Sequence, residues 1–311
     1  MRLGIDIGGT KTDAVAVDEA GGVLARLRRQ TGFGAGAVLD TAAEVAIALA
    51  GEAGVSIGDF ASVGVGIPGM VERAVGHVRY AVNLGVADLP LADLLSARLS
   101  GVRVTVENDV NAAALGAYHT LGLEGSMGFL NLGTGLAAGV VVDGEIWHGS
   151  SGAAGEIGHI PVDPHGVVCM CGQVGCLETK ASGSAVARMW PVDARFPVID
   201  LFERAGLGEE KAVRVRDELA DGIAAAIRML ALTVDVDVVT IGGGLSNLGE
   251  PLHEQIGAAL GRAAHHSPFL ASLGLARRVR MVPAGSSIAA VGAALAATRR
   301  RERDVVGIPA D

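Results

Sequence analysis

The feature that most constrains this 311-residue chain is a strand, glycine turn and strand unit that occurs twice. In the first copy, strand-like Arg2 to Ile7 passes through a Gly-Gly-Thr turn into Thr12 to Val17, then through Asp18 and a glycine turn into Val23 to Arg29. The second copy runs Phe129 to Leu132, Gly-Thr-Gly, Ala137 to Val142, Asp143-Gly144 and Glu145 to Trp147. Asp6 precedes Asp18 by twelve positions, and Asn131 precedes Asp143 by the same twelve. Two copies of so long a unit do not make a short-period solenoid; they predict two related lobes, a duplicated α/β domain.

The segments between and after the copies alternate in period. Helices are expected at Leu39 to Ala50, Ala92 to Leu99, Val110 to Leu121, Glu209 to Leu232, Leu252 to Ala264 and Ser287 to Arg299. Buried strands are expected at Ser62 to Ile67, Arg103 to Glu107, Val236 to Ile241 and Val279 to Val282. This alternation predicts a mainly parallel sheet augmented by the two meanders. The expected division is 1–116 with 298–311 as a smaller N-terminal lobe, and 117–297 as a larger one carrying a metal loop.

Composition narrows the partners. Apolar residues are half of the chain but aromatics only 3%, so the hydropathy comes from small residues in helices and buried strands. No apolar run reaches the roughly 18 to 20 residues of a membrane span. Asp6, Lys11 and Asp13 interrupt any leader-like stretch at the start, so a cytoplasmic location is expected. A net charge of -9, with one short basic segment at Arg299 to Arg303, argues against a nucleic-acid surface and leaves small polar ligands as the natural partners.

Four stretches can carry chemistry. In DIGGTK, Gly8 and Gly9 let the backbone approach an anion, Thr10 can donate to phosphate and Asp6 can hold magnesium; the sequence also suits an ordinary hairpin turn. NLGTG repeats that chemistry at Gly133, Thr134 and Gly135, and two such tips at equivalent points of a repeat favour a clamp on a polyphosphate chain. Gly242, Gly243 and Gly244 follow a buried strand, where a flat base can lie against backbone or the chain can simply turn. In VENDVN, Asp109 stands where a strand meets a helix: it can cap that helix or, at the positive end of the helix dipole, accept a proton from an attacking hydroxyl, with Asn108 beside it.

The three cysteines of the chain fall within CMCGQVGCLE, at Cys169, Cys171 and Cys176. With His159 of the preceding GEIGH they supply four donors suited to tetrahedral zinc, in preference to a redox knot or buried free thiols. Four protein donors close the coordination sphere, so that zinc is structural and holds Glu156 and Glu178 in place.

Taken together, these motifs resemble the ROK family of bacterial sugar kinases and repressors, within the actin and hexokinase fold superfamily. The resemblance covers essentially the whole chain, with GEIGH and CMCGQVGCLE its most specific elements, and DIGGTK, GVGIPG, END, LGTG, IGGG and AGSSIAAVGAALA follow in order. It implies an α/β, two-lobed, actin-like fold around a cleft, and transfer of the ATP γ-phosphoryl group to a hexose hydroxyl with magnesium. Asp109 matches the family's base. Asn108, Glu156, His159 and Glu178 match its sugar ligands, with Gly66, Gly69 and Asn83 lining the same pocket. Asp6, Gly8, Gly9, Thr10, Lys11, Gly133, Thr134, Gly135 and Gly242 to Gly244 match nucleotide positions. Where family glucokinases often have a tryptophan, Asn83-Leu84 continues into Gly-Val-Ala-Asp. Glucose leads as acceptor, with N-acetylglucosamine, N-acetylmannosamine, mannose, fructose and allose as alternatives, and a homo-oligomer, dimer or tetramer, is expected. A non-catalytic sugar sensor is the competing reading; a repressor is not expected, because the first phosphate strand starts at residue 2.

Overall fold

A computed structural model describes residues 1–297. The chain runs β1 (Arg2–Ile7), β2 (Lys11–Val17), β3 (Val23–Gln30), α1 (Ala35–Glu52), β4 (Val63–Ile67), β5 (Met70–Glu72), β6 (His77–Ala81), β7 (Val86–Leu89), α2 (Leu91–Arg98), β8 (Val104–Asn108) and α3 (Asp109–Thr120). It continues through β9 (Ser126–Leu132), β10 (Leu136–Val142), β11 (Glu145–Ile146), α4 (Gly183–Met189), α5 (Pro197–Gly206), α6 (Glu210–Thr233), β12 (Val238–Gly242), α7 (Glu250–His265), α8 (Pro268–Leu273), β13 (Val279–Met281) and α9 (Ile288–Ala296).

The duplication is explicit in the sheets. One five-stranded sheet has the order β3-β2-β1-β4-β8 and the other β11-β10-β9-β12-β13. In each, a meander is antiparallel through its hairpin and its first strand pairs in parallel with the next strand of the sheet. Asp6 lies opposite Asp13 and Gly66, and Asn131 lies opposite Ala137 and Gly242, so the two tips occupy equivalent places. The sheets are therefore mixed, the parallel part being confined to three strands each. A small antiparallel sheet, β5-β6-β7, was not signalled by the sequence: its strands have three to five residues and no sustained alternation of burial.

The chain divides into two compact units, Met1–Gly122 with residues 287–297, and Leu123–Ser286. The expected break at 116/117 falls inside α3, and the last helix belongs with the first unit. Residues 298–311, expected in the smaller lobe, and the basic segment Arg299 to Arg303 lie outside the described residues. Each unit has its own core: Leu3, Ile5, Val63, Val65 and Leu49 are fully buried in the first, and Leu130, Leu219, Ile223, Ile227 and Ile241 in the second. Among the described residues, no helix is long and apolar enough to cross a membrane.

The place of α9 follows from its composition, IAAVGAALA. A β-carbon at Gly292 would collide with the Ala112 carbonyl oxygen of α3, and one at Gly116 with the carbonyl of Ile288. The two helices thus touch backbone to backbone, which only small side chains permit. Gly292→Ala is expected to destabilise the protein by about 3 kcal/mol. Gly36→Ala in α1, where a β-carbon meets nothing within 4 Å, is expected to be neutral or slightly stabilising. Urea midpoints followed by circular dichroism compare the two, and equal midpoints would contradict the tight contact.

Candidate active site

In the first unit, the predicted residues converge at the carboxyl ends of β1, β4 and β8. The register aligns Asp6 with Gly66, Gly66 with Glu107, and Ile67 with Asn108. The Gly8-Gly9 tip closes by a bond from the Gly8 N–H to the Lys11 carbonyl, 2.9 Å, and Thr31 braces it by donating its hydroxyl to the Gly8 carbonyl at 2.7 Å. Thr10 and Lys11 are exposed at the turn. A β-carbon on Gly9 would touch Asn83, 3.5 Å from its Cβ, which puts Asn83 against the phosphate-type tip.

The cap of α3 is Asn108, whose Oδ1 accepts from the N–H groups of Val110 (2.9 Å) and Asn111 (3.3 Å). Asp109 is thus the first residue of the helix rather than its cap, and its Oδ1 also accepts from the Val110 N–H at 3.0 Å. Asn108 Nδ2 donates to the Gly69 carbonyl at 3.4 Å, joining two predicted sugar-site positions. Glu107 is buried and structural: it accepts from Asn111 Nδ2 at 3.2 Å and pairs with Arg73 Nε at 3.1 Å. Burial pushes the Asp6 carboxyl up to about 8, and the negative charges of Asp109 and Asp13 add to this, opposed by Arg28. Asp6 and Asp109 therefore share one electrostatic environment, and a set of carboxylates that disfavours a second negative charge is suited to receive a hard divalent cation.

Sequence reasoning had no signal for two neighbours of this site. Asp13, opposite Asp6, is held by Arg28 through bonds of 2.7 and 2.6 Å. Phe33, 77% exposed, lies across the Asn83–Gly85 turn, where Gly85 (φ +66°) leaves room for its ring.

In the second unit, the Gly133-Thr134-Gly135 tip is held by α4. The N–H groups of Gly183 and Ser184 donate to the Gly133 and Thr134 carbonyls at 2.8 and 3.0 Å, and the Ser184 hydroxyl adds a bond to Thr134 of 2.8 Å. Gly243, at φ +84°, passes so close to Asn131 and Leu132 that a side chain there would clash with both. Gly133, Thr134 and Gly244 border a cavity of about 810 Å³ that is also lined by Arg195 to Ile199, Leu245 and Leu248. The segment Arg195 to Ile199 carries no motif and was not anticipated.

The cysteine region forms a compact knot in the same unit. The donor atoms of His159, Cys169, Cys171 and Cys176 all lie within 4.8 Å of one another. Cys171 Sγ is 3.6 Å from Cys176 Sγ, and Cys169 Sγ is 3.7 Å from His159 Nδ1. A tetrahedral zinc with bonds of about 2.3 Å to sulfur requires donor separations of about 3.7 Å, so the set fits. Gly175 (φ +72°) lets the loop turn against Asp163. Glu178 joins the knot to the phosphate-type tip: its Oε1 accepts from the Cys169 thiol at 3.5 Å and its Oε2 from the Leu136 N–H at 3.2 Å, one residue beyond Gly135. Glu156 is exposed at the start of a single 3₁₀ turn ending in His159, whose N–H donates to the Glu156 carbonyl at 3.1 Å.

The ROK family model matches residues 2–300 of this chain. A glucokinase of Halalkalibacterium halodurans is 34% identical over 300 residues, covering 88% of this chain and 90% of that protein. An N-acetylmannosamine kinase of Salmonella typhimurium is 35% identical over 280 residues, covering 88% and 92%. Among solved structures, a ROK family glucokinase from Streptomyces griseus in complex with glucose and AMPPNP is similar with a TM-score of 0.78 at 32% identity, covering 96% of this chain and 99% of that one.

Proposed function

The chain belongs to the ROK family and is a sugar kinase, and from that premise we propose that it transfers the γ-phosphoryl group of ATP to a hexose hydroxyl, with glucose as the leading acceptor and glucose 6-phosphate as product. The observation that carries this reading is the convergence of Asp6, Gly66, Asn108 and Asp109 at the ends of three parallel strands, where α/β sheets gather their ligands.

In this reading Asp109 accepts the proton of the hexose hydroxyl as its oxygen bonds to the γ-phosphorus, and the bond to the ADP oxygen breaks. Asn108, Asn83, Glu156, His159 and Glu178 satisfy the ring hydroxyls, while Gly66 and Gly69 bring backbone to the sugar. The Gly8–Gly9 and Gly133–Gly135 tips offer backbone N–H groups, and Thr10 and Thr134 hydroxyls, to the phosphates, with Lys11 supplying positive charge. Gly242 to Gly244 lie beside the base. Magnesium, held by Asp6, would supply neutralisation of the phosphate oxygens. Zinc on His159, Cys169, Cys171 and Cys176 would be structural. The protein is read as a cytoplasmic homo-oligomer, dimer or tetramer, which light scattering would size.

ADP release across a panel of hexoses and N-acetylhexosamines tests the reading, with the highest kcat/KM expected for glucose. The 35% identity to an N-acetylmannosamine kinase makes that amino sugar the second candidate. A higher kcat/KM for it would replace glucose as acceptor, and no turnover of any sugar would overturn the kinase assignment.

A further inference from the structure

The cavity beside the Gly133-Thr134 tip has walls that a phosphate chain would not need. Phe196, Pro197, Ile199, Leu245 and Leu248 make its surface largely apolar, and polyanions gain nothing from such walls. A volume of about 810 Å³, lined by the Gly133-Thr134 tip as well as by these apolar side chains, suits a small organic molecule with an anionic end.

Phe196 is the one aromatic on these walls and is 55% exposed. A single exposed aromatic is ordinary on a protein surface. This one lines a cavity and has its backbone fixed. It precedes Pro197, the first residue of α5, and its carbonyl accepts from the Ile199 N–H at 3.0 Å, so its backbone is set by the helix start. The Arg195 guanidinium lies over its ring, 5.2 Å from the centroid. The segment is tied down further by Trp190, whose indole N–H donates to Asp200 of α5 at 2.7 Å.

We propose that Phe196 is the stacking wall for the nucleotide base, so that this enzyme selects its phosphoryl donor through the nucleoside and uses base-free polyphosphate poorly. The proposal rests on the nucleotide reading of the Gly133-Thr134 tip and adds to it the residue that discriminates between donors. Every nucleobase has a π-face, so the wall favours nucleotides over inorganic chains without selecting strongly among bases.

Calorimetric titration of ADP and of tripolyphosphate into the full-length protein, Phe196→Ala and Phe196→Trp tests this. ADP affinity is expected to fall about tenfold or more in Phe196→Ala and to return in Phe196→Trp. Tripolyphosphate binding is expected to be weak and equal in all three. In turnover, KM for ATP rises in Phe196→Ala while KM for the hexose does not. Equal ADP affinity in the wild type and Phe196→Ala overturns the proposal. A loss that Phe196→Trp fails to restore also overturns it. A wild type that binds no ADP removes the nucleotide reading itself.

Discussion

Asp109→Asn is expected to lower kcat by about 10³-fold or more while hexose affinity largely persists. A positioned general base contributes about 10² to 10⁴ in rate, and an amide cannot accept the hydroxyl proton. The substitution preserves shape, and the amide oxygen can still accept from the Val110 N–H. The helix should stay intact, because its cap is Asn108. That separation makes a control available: Asn108→Ala removes the cap and is expected to cost about 1 kcal/mol of stability, whereas Asp109→Asn should leave the melting temperature close to that of the wild type. Steady-state kinetics with glucose and ATP, alongside thermal denaturation, read both effects. Full activity in Asp109→Asn would sink the assignment of the base.

The sequence suggested Asp109 as a possible cap, and the structure gives that place to Asn108. Both residues are good caps, they are adjacent, and the choice depends on which side chain points back along the helix. Other parts were legible because local chemistry decides them. The two meanders could be read from glycine and aspartate at matching offsets, since a tight tip between strands demands such residues, and the two sheets share one strand order. The β5-β6-β7 sheet was hidden by its short strands with exposed faces, Met70–Glu72 being half-buried only at Val71. Glu178 was legible as a neighbour of the cysteines, but its bond to Leu136 spans 42 residues and belongs to tertiary packing alone. Phe33 and Phe196 gave no signal for the same reason: what distinguishes them is the turn and the cavity they border.

With zinc on His159 and the three cysteines, as proposed above, its removal is expected to be the most damaging change outside the proposed base, Asp109. The segment from Ile160 to Cys176 buries little of its apolar surface, Val168 being 71% exposed and Met170 fully so, and it is held by backbone bonds within the loop and by the isolated bridges Pro161 with Cys176 and Val168 with Val174. A loop of this kind has no core to hold it, and metal coordination substitutes for one. Purified protein is therefore expected to carry about one zinc per chain, and strong chelation to lower the melting temperature by several degrees. Cys176→Ser, at a fully buried donor, should reproduce the chelated state. Hexose affinity should fall about tenfold or more, because His159 is itself one of the four metal donors and Glu178 stands beside another, its Oε1 3.5 Å from Cys169 Sγ. ADP affinity should change far less, since the Gly133-Thr134 tip is fastened by α4 through Gly183 and Ser184. Elemental analysis, thermal melts and separate titrations of glucose and ADP check each step. Metal-free protein with unchanged stability and glucose affinity would contradict the zinc reading, and parallel loss of both ligands would mean that the knot supports the whole unit rather than the acceptor side.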